Sequence, residues 1–204
     1  MKKDLPTNNP IVQDGDPVLR KIAHRVRTDQ FGTKELQNIL ARMKKLLAAE
    51  DDGVAIAAPQ IGESLRIFVV SRRAFMIDEE EEDEKRVYKK KEASAETERL
   101  ADMVFINPEI TKLSRKKVTV PEGCLSVRWK YGNTRRSDKA IVRAQDEKGK
   151  FFTYGGSGLL AQIFQHETDH LNGILFIDHA TEIEDLPPEK VEEVRKHARE
   201  RHGE

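Results

Sequence analysis

Two histidines four residues apart carry the clearest chemical signal in this chain. His166 and His170 enclose Glu167, which gives an H-E-x-x-H pattern in a stretch with helical periodicity. A spacing of four places both imidazoles on one helix face, one turn apart, where two ring nitrogens can reach one divalent metal ion. The glutamate can then take a proton from a water that the metal acidifies. A surface helix that carries two histidines by chance is the plainer interpretation, and the small number of histidines, six in all, weakens it.

A metal site with three protein ligands and one open position needs one more donor. In one large class of metalloproteases that donor is a third histidine, in H-E-x-x-H-x-x-G-x-x-H. This chain has the glycine, Gly173, but Phe176 stands at the third histidine position and cannot coordinate. A protease with a glutamate ligand stays open as an alternative, because glutamates follow downstream at Glu182, Glu184 and Glu189.

The remaining soft donor lies upstream, at the single cysteine. Cys124 follows Gly123, which lets the chain turn tightly just before the ligand. A lone cysteine is usually a small buried apolar residue, but a thiolate together with two imidazoles would give a metal ion three soft protein ligands that carry a negative charge. We therefore predict that Cys124 completes the metal site.

A third segment, residues 53–60, is built from small residues and ends at Gln60. Small residues let a backbone approach a substrate closely, and the Gln60 amide offers an uncharged donor that could stabilise an oxyanion. The signal is weak by itself, since such loops usually pack in the core and a single glutamine usually lies on the surface.

These three segments, in this order, resemble the peptide deformylase family. The family's motifs are G-x-G-x-A-A-x-Q, E-G-C-L-S and Q-H-E-x-D-H. The chain has the first at residues 53–60, with Ala55 at the second glycine, and has the other two intact at residues 122–126 and 165–170. The resemblance extends from about Ile11 to Asp178.

The resemblance implies an enzyme that removes the formyl group from the N-terminal formyl-methionine of a newly made polypeptide and releases formate. It implies Fe²⁺, often replaced by zinc or nickel on handling, held by Cys124, His166 and His170. Glu167 would be the general acid and base.

The resemblance also implies the remaining contacts. The Gln60 amide and the Leu125 backbone N–H would hold the developing oxyanion. The peptide would lie along the first motif as an added strand. The residues expected to bind the substrate are Gly53, Ala55, Glu122, Gly123, Gln162 and Ile163.

Two positions of the expected substrate site depart from the family's pattern, and the proline that is frequent after Ser126 is also missing, where the chain reads Val127, Arg128 and Trp129. The methyl group of Ala55 would stand where the substrate backbone passes, and an L-residue resists a positive φ. Gln162 replaces a commonly apolar residue near the methionine pocket. We therefore expect a weaker or shifted side-chain preference. Two other functions stay open, an H-E-x-x-H metallopeptidase and a catalytically idle relative that binds N-terminal peptides.

The elements that must position these residues follow from periodicity. Apolar residues recur at helical spacing over residues 33–50, and a second helix is predicted from Ser157 to about Asn172, with Gly173 as its stop. Strands are predicted at residues 66–70, 103–107, 117–120, 140–144 and 151–154, with a turn at 146–150 and a break at 155–156. Strands that precede one long helix favour an α+β fold with mainly antiparallel sheets around a central metal-binding helix.

We predict that residues 1–204 form a single catalytic domain, to which the remaining charged segments are additions. Residues 79–99 are strongly charged and predict an exposed insertion, and residues 189–202 predict a charged C-terminal helix. The resemblance implies that this helix could contact the ribosome, as the tail helix does in some relatives. Lys+Arg and Asp+Glu are both 36, so no basic field recruits nucleic acid. No apolar run approaches the roughly 18 residues of a membrane span, and we expect a cytoplasmic location.

Overall fold

The described part of the chain combines two antiparallel sheets with two long helices. The computed structural model describes residues 11–76, 101–187, 189–191 and 193. The predicted α+β class with mainly antiparallel sheets is confirmed. The helices are Lys34–Ala48 (α1) and Gly158–Leu171 (α2), and the strands are Ala55–Ala57 (β1), Ile67–Val70 (β2), Met103–Leu113 (β3), Lys117–Gly123 (β4), Lys130–Ser137 (β5), Lys139–Gln145 (β6), Phe151–Ser157 (β7) and Thr181–Asp185 (β8).

The two sheets divide the motifs between them. One has five strands in the order β1-β2-β3-β6-β7, and the other has three in the order β4-β5-β8. The first motif therefore forms an edge strand of the larger sheet, while β4 of the smaller sheet leads directly to Cys124. The third motif lies on α2, which packs against strands of both sheets.

Helix α1 closes one face of the larger sheet. Its N-cap is Thr33, as predicted, whose hydroxyl accepts a hydrogen bond from the Leu36 N–H. One side of the helix is buried, at the spacing that the sequence predicts, by Leu36, Ile39, Leu40, Met43 and Leu47.

Helix α2 is held by an aromatic cluster and by a buried amide. The Phe164 ring lies 5.4 Å from that of Phe105, which stacks on Phe68 at 4.6 Å. The Gln165 side chain accepts from the Ser137 N–H at 2.9 Å and donates to the Ser137 carbonyl at 3.0 Å, which joins α2 to β5. These contacts fix the helix that carries both histidines.

Strand β7 corrects one prediction. Gly155 and Gly156 do not break the strand, which continues to Ser157. A Cβ atom at Gly156 would stand 2.6 Å from the Leu160 Cβ, so glycine is needed for the close approach of α2 rather than for a turn. Strands β5 and β8 were not predicted, because their mixed polar sequences lack apolar alternation.

Two other predictions concern segments that lie wholly or mostly outside the described residues. The 79–99 insertion lies outside them, and so does most of the predicted C-terminal helix, of which residues 189–191 and 193 are helical. Over the described ranges, no helix combines the length and apolar character needed to cross a membrane. The turn at 146–150 is confirmed, with the Asp146 carboxylate accepting from the Lys148 and Lys150 N–H groups.

Candidate active site

A cleft of about 350 Å³ lies between the edge of β1, the segment that follows β4, and α2. It gathers residues from all three motifs. His170 stands behind it, with its Nε2 atom 3.1 Å from the Cys124 Sγ atom. The other predicted site residues all line the cleft, namely Gly53, Ala55, Gln60, Glu122, Gly123, Cys124, Leu125, Gln162, Ile163, His166 and Glu167.

Cys124, His166 and His170 form a cluster whose ligand atoms all lie within 4.8 Å of one another. Thiolate and imidazole donors bind a divalent ion at roughly 2.0–2.3 Å, so the donors of one ion must lie a few ångströms apart. The donor set is soft and suits a late first-row metal. These three residues therefore fit the metal site that their sequence positions predict.

Two buried polar atoms, one within this cluster and one beside it, have no hydrogen-bond partner within the described part of the chain. They are Glu167 Oε2 and His170 Nδ1. Buried polar atoms in folded proteins are almost always paired, and an unpaired one points to a missing ion or water. The unpaired carboxylate oxygen beside the three ligands fits a site that takes an ion together with water.

His166 is oriented by Glu122. Its Nδ1 atom lies 2.6 Å from the Glu122 Oε1 atom. An ionised carboxylate can only accept, so Nδ1 carries the proton and the Nε2 lone pair is left for a metal. Burial alone would raise the pKa of Glu122, but hydrogen bonds from His166 and Arg136 outweigh it and hold that pKa well below its usual range.

The Glu122 carboxylate belongs to a larger buried network. Arg136 donates to both of its oxygens, at 2.9 and 2.6 Å, and donates at 2.6 Å to Asp169, inside the third motif. The Thr134 hydroxyl donates to Glu122 as well. The sequence placed Glu122 among the substrate-binding residues, but its carboxylate is occupied by protein donors, which leaves only its backbone for a substrate.

Glu167 is almost completely buried, with 3% of its surface exposed. Burial raises the pKa of its carboxyl to about 7, against the lowering influence of His166. A carboxyl group with such a pKa can both accept and donate a proton near neutral pH.

Gln60 has a fixed orientation at the end of the cleft that lies beside Cys124. Its Oε1 atom accepts from the Ala57 N–H at 2.7 Å, and its Nε2 atom lies 3.5 Å from Cys124 Sγ. The amide NH₂ group therefore points at the cluster of Cys124, His166 and His170. Leu125 is held by its carbonyl, which accepts from the Gln13 side chain at 3.0 Å.

Among the described residues, strand β1 is an edge strand of the larger sheet, and its outer backbone edge faces the cleft. Its other edge pairs with β2, where the Ser71 N–H donates to the Val54 carbonyl at 2.8 Å and Ala55 lies opposite Val70. Because paired and unpaired residues alternate in an antiparallel ladder, the Ala55 N–H and C=O point away from β2. Ala55 is not among the residues with positive φ, so the strain expected from an L-residue at this position does not arise, and its methyl group packs in the core. Its effect on the path of the peptide stays a prediction.

The side wall of the cleft comes from α2 and β4. Ile163 is buried there, and the Gln162 side chain donates to the Pro121 carbonyl at 2.9 Å, which joins the two elements. The Tyr131 ring packs directly on Gly123, where a Cβ atom would stand 2.6 Å from the ring. Glycine is therefore required at 123 for this aromatic contact, and not for the tight turn that the sequence suggested, because Gly123 ends strand β4 and has no positive φ.

Several residues at the site escaped sequence reasoning. Arg136 sits in a charged stretch that reads as solvated surface, and Arg128, between Val127 and Trp129, carries no local sign that it pairs with carboxylates. Asp169 could have been found, because it lies within the third motif, one residue before His170. Asp52 directly precedes the first motif, but an acidic run of three residues gave no reason to select it.

Comparisons with known proteins agree with this geometry. The family model described as "Polypeptide deformylase" matches residues 8–185. The chain is 38% identical to peptide deformylase 1A, chloroplastic/mitochondrial, of Arabidopsis thaliana over 87% of its own length and 62% of that protein. It is 36% identical to the peptide deformylase of Dictyoglomus thermophilum over 82% of its length and 90% of that protein.

A solved structure gives the same answer. It is a class I type b peptide deformylase from Acinetobacter baumannii with bound Met-Ala-Ser, and it superposes with a TM-score of 0.67 at 28% identity, covering 83% of this chain and 96% of that one. The match thus extends across the sheets and helices that build the cleft. The chain therefore belongs to the peptide deformylase family.

Proposed function

We propose that Cys124, His166 and His170 hold one divalent ion, Fe²⁺ in the working enzyme, and that Glu167 handles the protons of the reaction. As a peptide deformylase, the chain removes the N-formyl group from nascent polypeptides. The observation that carries the residue roles is the approach of one cysteine sulfur and two imidazoles beside Glu167, whose buried Oε2 atom has no partner among the described residues. Neither a metallopeptidase nor an idle peptide-binding relative finds support in the comparisons.

The ion would act as a Lewis acid that acidifies a water molecule and polarises the formyl carbonyl. Cys124 supplies a soft anionic donor, which zinc and nickel would also accept in the purified protein. Glu122 keeps the His166 ring in the orientation and tautomer that a ligand needs. We expect Cys124→Ser to disrupt metal binding, whereas a metallopeptidase with a glutamate ligand would tolerate it.

Glu167 takes a proton from the attacking water and delivers it to the leaving amine. Its burial supports this role, because a carboxyl with a pKa of about 7 is poised for transfer in both directions. The formyl C–N bond breaks after water adds to the carbonyl carbon, so the products are formate and a free amino terminus.

The Gln60 amide stabilises the negative charge that develops on the formyl oxygen. Its NH₂ group is aimed at the metal cluster and cannot rotate freely, because Oε1 is tied to the Ala57 N–H. A donor that is already oriented needs no reorganisation during the reaction. We assign the second donor to the Leu125 backbone N–H, as the resemblance implies.

The substrate backbone pairs with the free edge of β1 at Ala55. Its formyl group then lies at the Gln60 end, and its first side chain lies against Ile163. Gln162 gives this wall a polar member that is held by Pro121. We expect it to shift the preference for the first side chain, which relative rates on formyl-Met and formyl-Leu peptides would reveal. A strong formyl-Met preference would refute this expectation.

The test is formate release from formyl-Met-Ala-Ser by anaerobic, Fe²⁺- or Ni²⁺-loaded protein. Glu167→Gln keeps the shape of the side chain and removes its proton transfer, so we expect a loss of at least about 100-fold with metal content retained. Glu184→Gln on exposed β8 is the matched control and should be unaffected. No formate from metallated, folded parent protein would overturn the proposal.

Two further expectations remain predictions. The cytoplasmic location is proposed from the bacterial relatives, although the Arabidopsis relative is named for organelles. Ribosome contact through residues 189–202 is proposed from their charge and from the family resemblance. A deletion from residue 189 that leaves ribosome co-sedimentation unchanged would end the ribosome proposal.

A further inference from the structure

The two long walls of the cleft belong to different sheets. One wall is the edge of β1 in the five-stranded sheet, and the other is the segment that follows β4 of the three-stranded sheet. No ladder of backbone hydrogen bonds within one sheet therefore fixes the distance between them. Their spacing must come from other contacts, and it decides whether a peptide fits against the β1 edge.

The near end, beside the metal cluster, is tied by the N-terminal segment. The Val12 N–H donates to the Gln60 carbonyl at 2.8 Å, on the β1 side. The next side chain, Gln13, donates to the Leu125 carbonyl at 3.0 Å, on the opposite side. Two adjacent residues thus join the two walls where the formyl group would react.

The far end is tied by Arg128. Its guanidinium donates to Asp52 at 2.6 and 3.1 Å and to Glu50 at 2.6 Å. Only 12% of the Arg128 side chain is exposed, against 18% for Asp52 and 25% for Glu50. The guanidinium also lies 4.5 Å over the Trp129 ring. Removing one partner of such a buried group leaves a charge without compensation, so the arrangement resists opening.

The path of the substrate lies between these two ties. Gln60, Cys124, Asp52, Arg128 and Ala55 all line the same cleft. Along the chain, Ala55 lies between Asp52, which pairs with Arg128, and Gln60, which contacts Cys124. A peptide with its formyl group at the near end and its backbone on Ala55 must run toward Arg128. The residues after the formyl-methionine therefore reach the far tie.

We propose that Arg128 is a positioning residue that fixes the width of the cleft through Asp52 and Glu50, and thereby determines how well the enzyme binds the peptide beyond its formyl-methionine. The inference rests on the proposed function. Arg128 acts through the walls that it joins and takes no part in the chemistry, so its loss should weaken binding of longer substrates far more than it slows the reaction.

The test compares two substrates, formyl-Met and formyl-Met-Ala-Ser with an amidated C-terminus. In Arg128→Met, which keeps an apolar side chain of similar reach, we expect KM for the tripeptide to rise about tenfold, equivalent to about 1.4 kcal/mol. We expect kcat, and KM for formyl-Met, to change by less than about twofold. Arg25→Met removes an arginine from an exposed ion pair with Glu109 and is the matched control.

Asp52→Asn separates positioning from direct contact. If Arg128 acts through Asp52, both variants raise the tripeptide KM, and the double variant is no worse than Arg128→Met alone. If Arg128 instead binds the peptide directly, Asp52→Asn frees the guanidinium and lowers KM, which would overturn the inference. An unchanged tripeptide KM in an active Arg128→Met enzyme would also overturn it. Failure of the parent enzyme to release formate would count against the proposed function instead.

Discussion

Replacement of Glu122 by glutamine tests the buried network behind the metal site. Oε1 of Glu122 receives hydrogen bonds from His166 and Arg136, and Oε2 receives them from Arg136 and Thr134. Glutamine has the same shape but only one acceptor oxygen. Whichever position its NH₂ group takes, that group faces at least one N–H of Arg136. At least one charged hydrogen bond must therefore be lost.

The size of the effect follows from burial. The Glu122 side chain is 2% exposed and that of Arg136 is 8% exposed, so water cannot replace the missing partner. A hydrogen bond to a charged group contributes roughly 1.5–3 kcal/mol, and we expect the free energy of unfolding to fall by about that amount. His166 also loses the carboxylate that orients its ring. Because of this loss, we expect the affinity for the metal ion to fall roughly 10–100-fold.

The assay separates stability from metal binding. Urea unfolding of the metal-free protein, followed by circular dichroism and by the fluorescence of the single tryptophan, Trp129, gives the free energy of unfolding. Competition with a chelator gives metal affinity. Glu109→Gln is the matched control, because its carboxylate pairs with Arg25 while 55% exposed, and such pairs contribute less than about 1 kcal/mol.

The reasoning fails if Glu122→Gln behaves like the control. Equal unfolding free energies would mean that the network relaxes around the amide, and that its charge is not needed in the core. Unchanged metal affinity would mean that the helix alone orients His166. A stability loss without an affinity loss would restrict Glu122 to a purely structural role.

Three other changes test separate contacts. Burial alone would raise the pKa of Asp178, but the hydrogen bond from Arg20 outweighs it and lowers that pKa in the folded protein. The pair therefore stabilises the fold at pH values above the pKa of Asp178 in the unfolded chain. This stabilisation is lost as the pH falls through the lower pKa of the folded state. Asp178→Asn should therefore unfold more easily than the parent at pH 7, and the two should converge toward pH 3; a constant difference in urea midpoint would contradict this. Gly156→Ala should lower the free energy of unfolding by roughly 1–3 kcal/mol, because the new methyl group meets Leu160, and an unchanged urea midpoint would show that α2 can move away. Ala55→Gly should leave kcat/KM no higher than in the parent, because the backbone there needs no positive φ, and an increased kcat/KM would show that the methyl group obstructs the peptide.

Local sequence patterns predicted the helices and most strands. The Thr33 cap and the apolar spacing of α1 are readable because a helix repeats every 3.6 residues, whatever surrounds it. Strands β5 and β8 were missed, since β8 is exposed throughout and β5 buries polar residues such as Thr134 and Arg136. The break expected at Gly156 was wrong because the need for glycine there comes from a packed helix.

Most of the candidate catalytic and metal-binding residues could also be identified from the sequence. His166 and His170 are placed by their own helix, and Glu167 lies between them, so this part of the site is local. Cys124 is 46 residues away from His170, and only its motif and the missing third ligand identified it. The structure then brought its Sγ atom to within 3.1 Å of the His170 ring.

What tertiary structure alone decided is the role of the charged residues. Arg136 has charged and polar neighbours in sequence and Arg128 lies between Val127 and Trp129, and neither context indicates that each is buried against carboxylates. Arg128 and Asp52 are 76 residues apart and belong to opposite walls of the cleft. Periodicity records only which face of a single element is apolar. Which charge meets which across two sheets depends on how those sheets pack, so sequence could supply the reacting groups but not the ion pairs that hold them in place.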